Sequence, residues 1–187
     1  MRSLIASAAL CLIVSAPALA ATDLSLAPFA AIDTHGGGKV ILHHGTIQRV
    51  TVIKGDLKVS SVSVRDGTLT LDPCPNSCWF QSPELVVDVV SPNVQALSAH
   101  GGGSIEAAGP FPNQPHLAVS AHGGGWIDAR AIPVEAVAAS VHGGGSIKVN
   151  ALATLAADAH GGGSISYIGN PHNVASSIHG GGSVSRE

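Results

Sequence analysis

The chain has 187 residues, among them 23 Gly, 11 Pro, two Trp, one Tyr and three Phe, with 45 % hydrophobic and 11 % charged residues. That is the length of one ordinary domain with enough aliphatic content for a core, which excludes intrinsic disorder, and Gly spread through the apolar segments argues against a helical bundle. A formal net charge of −3 leaves no basic footprint for nucleic acid or anionic lipid.

Residues 1–20 read as a secretory signal, with Arg2 as a short positive region, Leu4 to Val14 as the apolar region and Ala18-Leu19-Ala20 as the cleavage site. The apolar run is shorter than the roughly 20 residues that span a bilayer. No later stretch approaches that length, so no transmembrane segment is expected after signal removal. Leu10 stands before Cys11 where a lipoprotein signal needs a small residue, which disfavours a lipid anchor. Losing Arg2 takes the formal charge from −3 to −4. The expected location is the periplasm or the extracellular surface of a bacterium, with residues 21–187 as a single domain.

Residues 30–92 are the less regular part, expected to form opening coils and a cap. Ile47 to Ile53, Leu57 to Val64 and Thr68 to Leu71 alternate as strands, and Asp66-Gly67 is a hairpin turn signal. Between these strands and the next, Cys74 and Cys78 close a tight loop, Asp72-Pro-Cys-Pro-Asn-Ser-Cys-Trp79. In an oxidising compartment this pair reads as a structural disulfide, with a two-ligand metal clip as the other option. Leu85, Val87 and Val89 then form a half-buried strand closed by Ser91-Pro92.

Residues 93–187 are organised by a repeat. His-Gly-Gly-Gly begins at His35, His100, His122, His142, His160 and His179, and the last five are 22, 20, 18 and 19 residues apart. A period of about 20 marks a solenoid. Before each His, apolar residues alternate with Ser120, Ser140, Asp158 and Ser177, so this segment is a strand with one buried face and the His falls on the outward set. After the glycines, Ile105, Ile127, Ile147, Ile165 and Val184 occupy one inward position, and Glu106, Asp128, Lys148 and Ser166 lie outward. Each unit is therefore strand, glycine corner, strand, and a looser return through Gly109-Pro110, Ile132-Pro133 or Asn170-Pro171. The fold expected is all-β: a right-handed parallel β-helix, or β-solenoid, with rungs of about 20 residues stacked about 4.8 Å apart.

The closing segment, Ile165-Ser-Tyr167-Ile-Gly169-Asn-Pro171, then Val174 to Ile178 and the last glycine corner, resembles the end of the GIN-domain family, labelled auto-transporter adhesin heads. Upstream, Leu69-Thr-Leu71, Leu85-Val-Val-Asp-Val89, Pro92, Val94 and Leu97 continue the resemblance, which covers roughly residues 30–187. It implies a β-helical exported domain, supports surface interaction only loosely, and brings no catalytic residues. The chain departs from the family in one respect: His stands at every closely spaced corner where small polar residues are commoner.

Two readings of the histidines follow. They are corner residues forming a solvent-facing ladder, or His100, His122, His142, His160 and His179, extended by His35, bind zinc, copper or nickel between rungs. The second reading lacks Cys and is short of carboxylates, with Asp158 the nearest in sequence. Imidazole changes charge near neutrality, so acid would load such a row with repulsion. Enzyme readings fare worse. The His-Gly-Gly-Gly loop resembles an esterase oxyanion loop, but no G-x-S-x-G accompanies it. Glu106, Asp128 and Lys148 read as a solvated strand face rather than a polysaccharide-cleaving site. Trp126 replaces the serine found after the other closely spaced corners and points to binding, in a patch shared with Phe111. The function expected is a non-catalytic binding or surface-structural module of the adhesin-head kind, with a cell-surface or glycan partner. Transition-metal binding and, more distantly, a carbohydrate-active enzyme are the alternatives. No cofactor is required, and the unpaired end of a solenoid admits self-association.

Overall fold

The computed structural model describes residues 21–76 and 83–187. The expected signal, residues 1–20, and Cys78 of the expected disulfide lie outside them. In chain order the strands are β1 (Thr22–Leu24), β2 (Ala31–Thr34), β3 (Gly38–His44), β4 (Arg49–Lys54), β5 (Ser61–Arg65), β6 (Thr68–Asp72), β7 (Leu85–Ser91) and β8 (Ala96–Gly101). Then follow β9 (Ser104–Ala108), β10 (Gln114–Gly123), β11 (Trp126–Gly143), β12 (Ser146–Gly161), β13 (Ser164–Ile168), β14 (Asn173–His179) and β15 (Ser183–Arg186). The fold is an all-β solenoid of about five turns, with rungs about 20 residues apart.

Two parallel faces meet at the glycine corners. On one, β2, β8, β10, the end of β11, the end of β12 and β14 align Ile32, Leu97, Val119, Ala139, Ala157 and Ser176 in one inward column. On the other, β3, β9, β11, β12, β13 and β15 align Val40, Ile105, Ile127, Ile147, Ile165 and Val184. Period-two alternation sends every second side chain into the coil, so both columns join one continuous core. Val40, Ile105, Ile127, Ile147 and Ile165 have no exposed surface. Small inward residues such as Ala99, Ala121 and Ala159 keep the coil thin. The unequal repeat lengths are absorbed on the return side, where the β11–β12 register shifts between Ala129 and Pro133 and again between Val134 and Ala136.

The N-terminal part is a cap of a different kind. β5 pairs antiparallel with β6, and β4 pairs antiparallel with both β1 and β7. The β5–β6 turn is Asp66-Gly67, both with positive φ (49° and 73°), as a tight right-twisted hairpin requires. One expected strand is cut short: Leu57 to Val59 lie in a turn, and the strand begins only at Ser61. The cause is Asp56, whose carboxylate accepts from Lys58 N–H at 2.9 Å while its carbonyl accepts from Val59 and Ser60 N–H at 3.0 and 2.9 Å. That local satisfaction of the backbone competes with the sheet ladder, and it leaves Leu57 and Val59 exposed.

Candidate functional site: the histidine ladder and the alanine trough

Each corner is built by its glycines. The first glycine of every corner has positive φ, from 57° at Gly36 to 108° at Gly180, a conformation that costs glycine nothing. Backbone hydrogen bonds then run along the coil axis, Gly124 N–H to Gly101 O at 2.7 Å, Gly144 N–H to Gly123 O at 2.8 Å and Gly162 N–H to Gly143 O at 2.9 Å. This lock fixes the residue before each corner in register with its copies, and that residue is His.

The six imidazoles form one continuous stack. Ring centroids are 4.9 Å apart for His35 and His100, 4.8 Å for His100 and His122, 5.0 Å for His122 and His142, 5.0 Å for His142 and His160, and 4.8 Å for His160 and His179. The interplanar angles run from 2° to 19°. The expectation that neighbouring rings lean toward a shared ion is not what the rings do. Imidazole lone pairs lie in the ring plane, so an ion at a bonding distance of about 2.0–2.1 Å from one ring lies out of the plane of the next. Among the described residues no group of three or more His, Cys, Asp or Glu side chains is arranged to hold a metal ion.

The ring nitrogens turn instead to the neighbouring outward column. His122 Nε2 is 2.8 Å from Ser120 Oγ, His142 Nδ1 is 3.3 Å from Ser140 Oγ, and His179 Nε2 is 3.2 Å from Ser177 Oγ. Asp33 takes the serine's place in the first rung and reaches two rings, His35 Nε2 at 3.1 Å and His100 Nε2 at 3.4 Å. Sequence reasoning named Asp158 and passed over Asp33. The signal was present, since Asp33 precedes His35 by two residues as Asp158 precedes His160.

Beyond the serine column lies a column of alanines, Ala31, Ala96, Ala118, Ala138, Ala156 and Ala175, in register across six strands. Around Ala118, Ala138 and Ala156 of this column the face dips into a trough of about 660 Å3. Its lining is mainly apolar, including Leu117, Ala118, Val137 and Ala138, with His116 and Thr154 at the side. Gln114 also lines it, 4 % exposed; its Oε1 accepts from Val94 N–H at 3.4 Å, which leaves Nε2 as a donor without a partner.

Trp126 stands in register between Ser104 and Ser146, as the repeat requires, but it is half-buried rather than exposed. Phe111 does not share a patch with it. Phe111 is 7 % exposed and packs in the core cluster beside His44, with ring centroids 5.7 Å apart.

The second face carries a charge cluster at its far end. Arg130 donates from Nη2 and Nε to Asp128 at 2.6 and 3.0 Å and from Nη1 to Glu187 at 2.8 Å, while Ser166 Oγ donates to Glu187 at 2.8 Å. Burial alone would raise the Asp128 carboxyl, but the hydrogen bonds and charge of Arg130, aided by Lys148, hold it below its ordinary range. The Ser166 hydroxyl first, then Arg130 and Lys148, hold Glu187 low, and both carboxylates raise Arg130. Replacing Arg130 by Met removes the guanidinium from Asp128, which keeps the backbone N–H of residue 130, and takes one of three side-chain partners from Glu187, which keeps Ser166 and Lys148. We expect the Asp128–Arg130 pair to contribute about 1 kcal/mol after solvent screening. Both carboxylates are depressed, so this contribution is full above the unfolded carboxylate pKa of about 4 and is lost as pH falls through the lower folded values. Urea midpoints of wild type and Arg130→Met should differ at neutral pH and converge near about pH 2. A gap that persists in acid would mean that Arg130 acts through packing of its stem.

Comparison with known proteins places this geometry. The family described as "Putative auto-transporter adhesin, head GIN domain" matches residues 28–114 and 113–171. No curated protein matches. Among solved structures, one described as a putative adhesin from Bacteroides fragilis NCTC 9343 is 19 % identical with a TM-score of 0.56, and one from Parabacteroides distasonis ATCC 8503 is 16 % identical with a TM-score of 0.59. A third, described as a putative lipid binding protein from Parabacteroides distasonis ATCC 8503, is 17 % identical with a TM-score of 0.53. All three alignments cover 90 % of this chain and 96 % of the other, and at these identities they establish the shared fold alone. With its glycine-cornered solenoid and the family match across most of its length, the chain belongs to the GIN-domain family, the one described as "Putative auto-transporter adhesin, head GIN domain".

Proposed function

We propose that the protein is an exported, non-catalytic surface-binding module that meets an extended partner along the face formed by the alanine trough and the serine and histidine columns. The observation that carries this reading is the regularity of that face: methyl and imidazole groups recur on successive rungs, each in its own column, and the column between them holds Ser98, Ser120, Ser140 and Ser177 with Asp33 and Asp158. A repeating scaffold suits a repeating partner. Polysaccharides fit best, because a pyranose ring has an apolar face for the trough and hydroxyl edges for Ser120, Ser140, His122 and His142. The secretory signal read in residues 1–20 and the Cys74–Cys78 disulfide belong to the same proposal, since both suit life outside the cytoplasm.

The test is retention of the labelled, untagged protein on intact bacterial and host cells and on immobilised polysaccharides, beside Ala118→Arg and Ala138→Arg. Both substitutions are at exposed positions, so the fold should persist while the trough is filled. Retention lost in both variants supports the reading, and equal retention by all three proteins overturns it. Zinc, copper and nickel titrations should give equally weak binding for wild type and the His122→Ser, His142→Ser, His160→Ser triple variant. Tight binding lost in the triple variant would make the ladder a metal site instead.

A further inference from the structure

The two ends of the solenoid are finished differently. At the N-terminal end the parallel coils give way to the antiparallel strands β1, β4 and β5. At the other end β14 hydrogen-bonds only to β12, and β15 only to β13, so each presents one unpaired edge among the described residues. Val174 continues the column of Val137 and Leu155, and Ile178 that of Val141 and Ala159. Leu155 and Ala159 are 0 % exposed, whereas Val174 and Ile178, in the same inward positions one rung later, are 46 % and 45 % exposed.

The two edges are not equivalent. β15 has four residues, and Arg186 stands in the column that Val149 and Tyr167 fill in the rungs before it. A short strand with an inward charge is a standard way of blunting an edge against pairing. β14 has seven residues, Asn-Val-Ala-Ser-Ser-Ile-His, with no Lys, Arg, Asp, Glu or Pro. It is unguarded, and it is also self-complementary about Ser176. An antiparallel pairing of β14 with its own copy, centred on Ser176, places Val174 opposite Ile178, Ala175 opposite Ser177 and Asn173 opposite His179. The inward set falls on the inward set, so the core of one molecule runs on into the next. A slip of one residue would turn one strand's aliphatic side chains to the outward face.

We propose that β14 is the interface for a second copy of this chain, the two solenoids meeting end to end across a two-fold axis through Ser176. The arrangement uses the same edge of both molecules, so it closes as a dimer and does not propagate.

Sedimentation velocity of the purified, untagged protein over a wide concentration range tests this, with two variants beside the wild type. Val174→Lys with Ile178→Lys sets like charges opposite each other at both contact points, and Val174→Lys with Ile178→Glu sets opposite charges there. The side chains are half-exposed on the last rung, so each monomer should keep its fold, and far-UV circular dichroism serves as the check because melting temperature itself falls when a dimer is lost. The wild type is expected to follow a monomer–dimer equilibrium. The double-Lys variant should raise the dissociation constant by at least about a hundredfold, and the Lys/Glu variant should recover most of that loss. A wild type that is monomeric at every concentration overturns the proposal. So does an oligomer indifferent to the double-Lys change, an equal loss in both variants, or growth beyond the dimer.

Discussion

Replacing Gly125 by Ala is expected to destabilise the protein by about 3 kcal/mol, or roughly 6–12 °C in melting temperature for a chain of this size. Replacing Gly162 by Ala should leave it unchanged or raise its stability by about 0.4–1 kcal/mol. The difference comes from position within the corner. A Cβ on Gly125 would lie 2.4 Å from the Ala99 carbonyl oxygen and 2.9 Å from its carbon. Those atoms are backbone of the rung beneath, held by the β8–β10 ladder, so they cannot move aside without parting the coils. A Cβ on Gly162 meets nothing within 4 Å, and its φ is one that other residues adopt. The third glycine of a corner is thus fixed by contact and the first by its backbone angle, joined at Gly161 and Gly180 by backbone oxygens 2.9 and 2.8 Å away, while the second is free at Gly37, Gly162 and Gly181 but faces a backbone oxygen at 3.3 Å at Gly102 and 3.1 Å at Gly124. Thermal unfolding of both variants measures the contrast. Equal losses would mean that the corner tolerates no side chain at all and that coil contact is not the cause.

That distinction was invisible in the sequence, where the three glycines look alike. What the sequence carried was parity: the alternation around each corner put Ile105, Ile127, Ile147 and Ile165 inward and the histidines outward, and the registers repeat that assignment rung by rung. Alternation says nothing of strand direction, so the antiparallel cap could be anticipated only at the Asp66-Gly67 turn. It also cannot see competition from a side chain. Leu57 and Val59 have the pattern of a strand, and Asp56 takes their backbone groups first.

The histidine row was legible because spacing near 20 residues implies stacking, while the tilt of the rings was not. Face-to-face packing against the next ring and hydrogen bonds to Ser120, Ser140 and Asp33 decide that tilt, and they depend on distances of a few tenths of an ångström. Trp126 followed its column but is half-buried, since burial depends on neighbouring columns that one strand's pattern does not reveal. The Arg130–Glu187 contact joins residues 57 apart in sequence, beyond anything a repeat can relate.

Ile147→Ala should cost about 3–4 kcal/mol, while Val184→Ala, in the same column at the last rung, should cost less than about 1 kcal/mol. Ile147 is 0 % exposed between Ile127 and Ile165, and Val184 is half-buried with a partner on one side only. The inner value lies high in its class because the void cannot collapse. Hydrogen-bonded ladders fix the rung spacing, and the small, mostly aliphatic residues lining this thin core offer no long side chain to swing into the space. In a solenoid each rung contacts only its neighbours, so stability is close to a sum of rungs and interfaces. An inner substitution weakens two interfaces and an end substitution one. Urea unfolding of both variants reads the totals, and hydrogen exchange reads where the loss falls, with β13 and β15 expected to open first in Val184→Ala. Equal costs at the two positions would mean that the coils unfold as a single block with no gradient along the axis.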